Sequence, residues 1–412
     1  MVATHALALV IPLLATSSAS SASSATAAEG AAEVRRVGSP LASASGCVID
    51  ASGATVTRSD GGVETIPLDE LISVEFPRRS ALAPASGERI VALLHDGSRL
   101  EGAVAGGSAE MLRVALRPGV ELEIPIDALS ALFLGARAPR LERARFDVSA
   151  KEDALFKRPE SGGDFTRGTL QSFSANDCEF EYSLGNGKFT WGELEAVVLA
   201  RQGELDPPKA PLVHADLAPD GVLTGTLLRF GDAGLELKPQ GFAKSVVLPP
   251  EILRALRFDG ARHAWLSDRA PAKVEQTPYL GSADQFLFPW RPDRTVTGRP
   301  LAVGGRSFAK GFGCHSRTRL EFTLTPQEAQ FEAWVGVADE VLDLADRGAI
   351  QFAVVLDGKE AWRSAVLRAG EPAVKVGPIA LAGAKTLALV TDFGEGEDVA
   401  DRGVWGEALL LR

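Results

Sequence analysis

The stretch Gly298-Arg299-Pro300-Leu301-Ala302-Val303-Gly304-Gly305-Arg306-Ser307-Phe308-Ala309-Lys310-Gly311-Phe312-Gly313-Cys314-His315-Ser316-Arg317-Thr318-Arg319 decides how the C-terminal third of the chain is read. Gly304-Gly305 is a hairpin turn, because both positions tolerate a positive φ. Leu301 and Val303 alternate before it and Phe308 follows, as on a half-buried hairpin. Gly311 and Gly313 flank Phe312 and lead into Cys314-His315-Ser316. Arg319-Leu320-Glu321-Phe322-Thr323-Leu324 then alternates with the period of a strand. Two readings of the glycine-rich approach to His315 stand: a binding site between two strands, or a tight sheet corner, where isolated glycines mark bends.

Further strands follow outward from this stretch. They are Phe331-Glu332-Ala333-Trp334-Val335-Gly336-Val337-Ala338-Asp339, then Phe352-Ala353-Val354-Val355-Leu356-Asp357-Gly358-Lys359, then Leu387-Ala388-Leu389-Val390-Thr391-Asp392, and the closing Val404-Trp405-Gly406-Glu407-Ala408-Leu409-Leu410-Leu411. With the Lys310-Gly311-Phe312-Gly313-Cys314-His315-Ser316 run, this order resembles the NPCBM family of carbohydrate-binding modules over residues 278–412. Two positions depart from the pattern: no acidic residue stands beside Trp405, and Ala338 precedes Asp339. The resemblance implies a galactose-binding-like jelly roll that recognises glycans without catalysis.

The first 28 residues read as a secretory signal. The apolar run Ala6 to Ala15 is too short to span a bilayer of about 30 Å, and Ala25-Thr26-Ala27 offers a small-x-small cleavage site. An Ala/Ser-rich flexible segment is expected over 29–45. The protein is therefore expected to be secreted, periplasmic or cell-surface, with no transmembrane segment in the mature chain. The 412 residues leave room for two to four domains, and a net charge of −11 argues against a nucleic-acid partner. Cys47, Cys178 and Cys314 are far apart and odd in number, which suits buried small hydrophobes better than a disulfide framework or a zinc site.

Residues 46–259 carry a repeat. Its closing half reads Ile66-Pro67-Leu68-Asp69-Glu70-Leu71, then Ile124-Pro125-Ile126-Asp127-Ala128-Leu129, a worn Phe189-Thr190-Trp191-Gly192-Glu193-Leu194, and Leu248-Pro249-Pro250-Glu251-Ile252-Leu253. Its opening half ends in a glycine, Gly102, Gly168 or Gly225, which precedes the shared leucine by 27, 26 and 28 residues. Each unit is read as short strands, one helical turn entered at a proline, and a final strand. A unit this small buries little alone, so neighbours are expected to pack in pairs. The first copy lacks a clear opening hairpin and reads as partial.

The fold class is therefore all-β: tandem small SH3/Sm-like β-barrel repeats followed by a galactose-binding-like jelly-roll β-sandwich. Repeats 1 and 2 occupy 46–135, repeats 3 and 4 occupy 140–259, and a linker over 260–277 leads to the module at 278–412. Trp265 in that linker is expected to anchor one part to the other.

Catalytic signals are poor. There is no nucleophile elbow, no phosphate-binding loop and no dinucleotide fingerprint, and nothing singles out a carboxylate pair from 54 acidic residues. Sugar binding asks for less: a flat aromatic face for the C–H surface and polar groups for the hydroxyls. His315, Arg317 and Asp339 are the candidate polar residues, because they fall at strand ends beside the glycine-rich turn. Trp290 and Trp405 are the candidate stacking residues. The acidic loop Asp392 to Asp401 suggests a structural Ca2+, with Asp398, Asp401 and Glu407 as candidate ligands; Glu407 enters because the related fold often ties its last strand to an ion. The expected partner is an extracellular or cell-surface glycan, with galactose-containing ones among the candidates. The alternative is a structural or assembly protein that uses its β domains for protein contacts. An enzyme with an unrecognised hydrolase site ranks last.

Overall fold

Leu71, Leu129, Leu194 and Leu253, the shared leucines of the repeat, are all buried, and each begins the closing strand of a five-stranded unit. The computed structural model describes residues 31–39, 41–77, 83–135, 138, 141, 146, 152–200, 205–206, 209–218, 220–281 and 287–412. The expected signal sequence at 1–28 lies outside them.

In every unit four strands meander antiparallel, and the fifth returns to pair with the first. The turn before the fifth strand is a single 3-10 turn at Ile126–Ala128, Trp191–Glu193 and Pro250–Ile252. Pro125 and Pro249 sit at the entry of the first and last, where no N–H partner is lost. The worn copy replaces proline with a capping box, in which Thr190 and Glu193 satisfy each other's backbone N–H groups.

The first unit is complete, contrary to the sequence reading. Its opening strand is Ala32–Arg36, paired with both Ala42–Asp50 and Leu71–Glu75, so the segment expected to be flexible at 29–45 carries two strands. The pairing of units also differs from a simple neighbour rule. The closing strand Leu129–Leu134 of unit 2 pairs with Leu194–Val198 of unit 3, whereas Leu71–Glu75 of unit 1 pairs with Leu253–Phe258 of unit 4. One hydrophobic core runs through all four units.

The C-terminal part is a β-sandwich of two six-stranded sheets over a second core. One sheet is built around Arg402–Leu411, flanked by Gly311–His315 and Gln330–Val337. The facing sheet centres on Thr386–Phe393, between Thr318–Thr323 and Ala349–Leu356. Phe331, Ala333, Val335 and Val337, alternate residues of strand Gln330–Val337, point into this core. The hairpin Leu301–Val303/Arg306–Phe308 lies on the outer face of the first sheet. It docks there because the sheet is bare: a Cβ on Gly336 would sit 2.2 Å from Val303, and one on Gly406 2.5 Å from Phe308.

The expected linker at 260–277 is part of the sandwich. His263–Trp265 pairs with Arg402–Leu411, and Lys273–Gln276 pairs with Thr318–Thr323. Trp265 does join the two parts: it is buried in a cluster with Ile72, Leu409 and Leu411. Arg35 reinforces the joint, with ion pairs to Glu332 at 3.1 Å and Glu407 at 2.9 Å.

Candidate functional site

One end of the sandwich gathers the strand ends that the antiparallel order brings together. Gly311–His315 finishes beside the start of Arg402–Leu411, with His315 opposite Arg402. Thr386–Phe393 finishes beside the start of Ala349–Leu356, with Phe393 opposite Ile350. Lys273–Gln276 delivers Thr277 to Arg317, and their backbones exchange two hydrogen bonds.

His315 is buried, so it forms the floor of this end and not its surface. Its Nδ1 lies 2.9 Å from the Ser316 carbonyl, and burial pushes its pKa down, which favours the neutral ring. Phe288 stacks on the imidazole with centroids 5.1 Å apart, and the Arg402 guanidinium lies 5.1 Å from the Phe288 ring. Arg317 projects outward, half-exposed, with its nearest carboxylate Asp392 at 3.6 Å. Tyr279 is 46% exposed. Its backbone N–H donates to Asp398 at 2.9 Å, and its ring meets the edge of Phe393 at 5.3 Å. This end therefore presents aromatic faces beside a guanidinium and carboxylates, the combination that hydroxylated rings need.

Asp401 holds the end together from below. It is fully buried, and accepts the Ser316 hydroxyl at 2.6 Å and the Ala349 N–H at 2.8 Å. Burial pushes its pKa up to about 6, against the pull of those two hydrogen bonds and with help from nearby Asp398.

The other predicted residues lie elsewhere. Trp405 is core: it is 0% exposed, its indole N–H donates to Thr391, and its ring meets the edge of Phe352 at 5.4 Å. It cannot stack on a sugar. Trp290 leans on the same core against Phe312. Asp339 anchors the Gly304-Gly305 turn by accepting both backbone N–H groups, at 2.7 and 2.9 Å.

The three proposed calcium ligands do not converge. Asp398 and Asp401 are neighbours at the loop end, but Glu407 faces the repeats. A bulge explains its direction. Opposite Glu332 and Trp334, the last strand advances from Leu409 to Gly406, one residue too many, and Glu407 takes φ +48°. Its carboxylate thereby meets Arg35 and Arg306. Among the described residues no group of three His, Cys, Asp or Glu is arranged to hold a metal ion, and both carboxylate oxygens of Asp401 already accept hydrogen bonds. The predicted set does not fit a Ca2+ site.

Residues 262–411 match the family model described as the NPCBM/NEW2 domain. This C-terminal sandwich is an NPCBM domain. Among solved structures, the chain is similar to a CBM51 module of a Clostridium perfringens GH95 protein solved with methyl-galactose. The identity is 24% over 36% of this chain and 99% of that one, with a TM-score of 0.31. It is also similar to the CBM51-2 and INT domains of Clostridium perfringens ZmpB, at 20% identity and TM-score 0.32, covering 48% of this chain and 43% of that one. A third is the tandem CBM51 pair of a family 98 glycoside hydrolase from Streptococcus pneumoniae, at 17% identity and TM-score 0.31, covering 49% and 71%. No curated protein matches the chain.

Sequence reasoning missed Tyr279, Phe288 and Phe393 as members of the site. The available signal was scarcity: Tyr279 is one of only two tyrosines in the chain, and it stands three residues past the end of strand Lys273–Gln276.

Proposed function

We propose that the protein is an exported, non-catalytic glycan-binding protein, and that the NPCBM domain binds a terminal sugar at the loop end lined by Tyr279, Phe393 and Arg317. The family match over residues 262–411 carries this reading. The grouping of the exposed Tyr279 and Arg317 with the partly buried Phe393 and Asp392 at one end of the sandwich supports it. The sugar's apolar face would rest on Tyr279, and its hydroxyls would meet Arg317 and Asp392. The domain is read as a galactose-binding-like jelly roll, and each five-stranded unit as an SH3/Sm-like barrel. The four units would space or orient the module and contribute no chemistry of their own.

Each sugar hydrogen bond replaces one to water, so its net gain is about 1 kcal/mol, and one stacked ring adds a similar amount. The expected dissociation constant for one site is on the order of 0.1–1 mM. Calorimetric titration of the full chain with methyl galactoside tests the sugar identity. Heat of binding in that range supports galactose, and its absence removes galactose. Failure of the folded chain to retain any glycan on an array removes the carbohydrate reading itself.

A further inference from the structure

Between the repeats and the NPCBM domain lies a cavity of about 960 Å³, walled by units 1, 2 and 4 on one side and by the sandwich on the other. Its volume is at the upper end of what small-molecule sites occupy. Most of the charges on its wall are matched. Arg257 grips Asp216 with two hydrogen bonds of 2.8 and 2.7 Å, Arg294 meets Asp220 at 2.5 Å, and Lys310 meets Asp293 at 2.6 Å.

Two guanidiniums are not matched. Arg117, at the end of strand Met111–Arg117, is only 6% exposed. Its Nε has no hydrogen-bond partner, and its Nη1 reaches only the Leu116 carbonyl at 3.3 Å. Arg254, on the closing strand of unit 4, is the second, and neither makes an ion pair among the described residues. Burial pushes the Arg117 pKa down and nearby Arg254 adds to the push, while Glu101, itself paired to Arg89, draws it part of the way back. A buried cation facing a like charge is costly unless an anion joins them. Two further buried polar atoms of the same wall have no partner: Oδ2 of Asp96 and Nε1 of Trp265, a residue 4% exposed.

We infer that this cavity is a second binding site, in which Arg117 and Arg254 hold an oxyanion and Asp96 and Trp265 hydrogen-bond to hydroxyl groups of the same ligand. The oxyanion is a carboxylate on a sugar or a free inorganic anion, and the size of the cavity favours the sugar acid. The residues involved are distinct from those of the loop end, so the two sites succeed or fail separately.

The test is calorimetry of the full chain with sodium galacturonate and, separately, sodium sulfate, using wild type, Arg254→Gln, Arg117→Met and Tyr279→Ala. Binding should weaken roughly tenfold or more in either arginine variant, because a charge-assisted hydrogen bond is worth about 1.5–3 kcal/mol. Tyr279→Ala removes any share of galacturonate held at the loop end, and the arginine effect is read on the binding that survives in that variant. Galacturonate binding more tightly than sulfate identifies an acidic sugar, and equal binding identifies an oxyanion site indifferent to its carrier. Arg254 is exposed, so its variant reports even if Arg117→Met folds poorly. Absence of binding by both probes, or binding that Arg254→Gln leaves intact, overturns the inference.

Discussion

Replacing Asp401 by Asn should stabilise the protein at neutral pH and do nothing in mild acid. The carboxyl is fully buried beneath the loop end, and burial lifts its pKa from 3.8 to about 6. A group whose folded pKa is raised holds its proton more tightly when folded. The stability it contributes is complete below about pH 4 and is lost as pH rises through about 6. At roughly 1.4 kcal/mol per pH unit, the ionised carboxylate costs on the order of 3 kcal/mol at pH 8. Asn keeps the shape and can still accept the Ala349 N–H, while its amide donates to Ser316 Oγ and carries no charge. Urea unfolding of both proteins, followed by tryptophan fluorescence, should give equal stabilities at pH 4 and a more stable variant at pH 8. Glu75, lifted to about 7 chiefly by burial and next by Glu407, tilts both curves in the same direction and cancels in the difference. A difference that does not change with pH, or a variant that is weaker at pH 8, would refute the reasoning.

Other outcomes follow from the same contacts. Arg35→Ala should destabilise the protein by about 1.5–3 kcal/mol, because it removes the closest cation from Glu332 and Glu407 and leaves only Lys375 at 3.4 Å and Arg306 at 3.5 Å to face them; denaturant unfolding measures the loss. Trp405→Ala should cost about 3–5 kcal/mol as a core truncation. Under conditions where that variant remains folded, its glycan affinity should match wild type. Asp339→Ala should cost about 1–2 kcal/mol through the two hydrogen bonds it removes from the turn, with the loss read as a lower melting temperature.

The repeats were legible because each closing half is punctuated in the same way. A proline or capping threonine enters one turn, and a leucine that must be buried leaves it. Strand Ala32–Arg36 was not legible, because its inward face is only Val34 and the small, partly buried Ala32, and Arg35 serves the joint with the sandwich. Two apolar residues are too few to mark a strand by period. The hairpin at Gly304-Gly305 and the inward face of Gln330–Val337 followed from local rules of turn and period. Glu407 was taken from the family resemblance and Trp405 from its place at the start of the last strand, and neither choice could see the local backbone. The bulge beside Gly406 breaks the alternation of the last strand, turning Trp405 inward and Glu407 toward the repeats. The loop end was half legible: strand ends mark His315 and Arg317, but only the order of strands in two sheets brings Tyr279, Phe288 and Phe393 beside them.

A glycan array probed with the full chain, wild type and Tyr279→Ala, tests the central claim most directly. The account predicts retention on glycans that expose a terminal sugar, and a loss of roughly tenfold in the variant, as expected for a stacked aromatic and the contacts it positions. A folded wild-type chain that retains no glycan, or a Tyr279→Ala chain that binds as well as wild type, would contradict it.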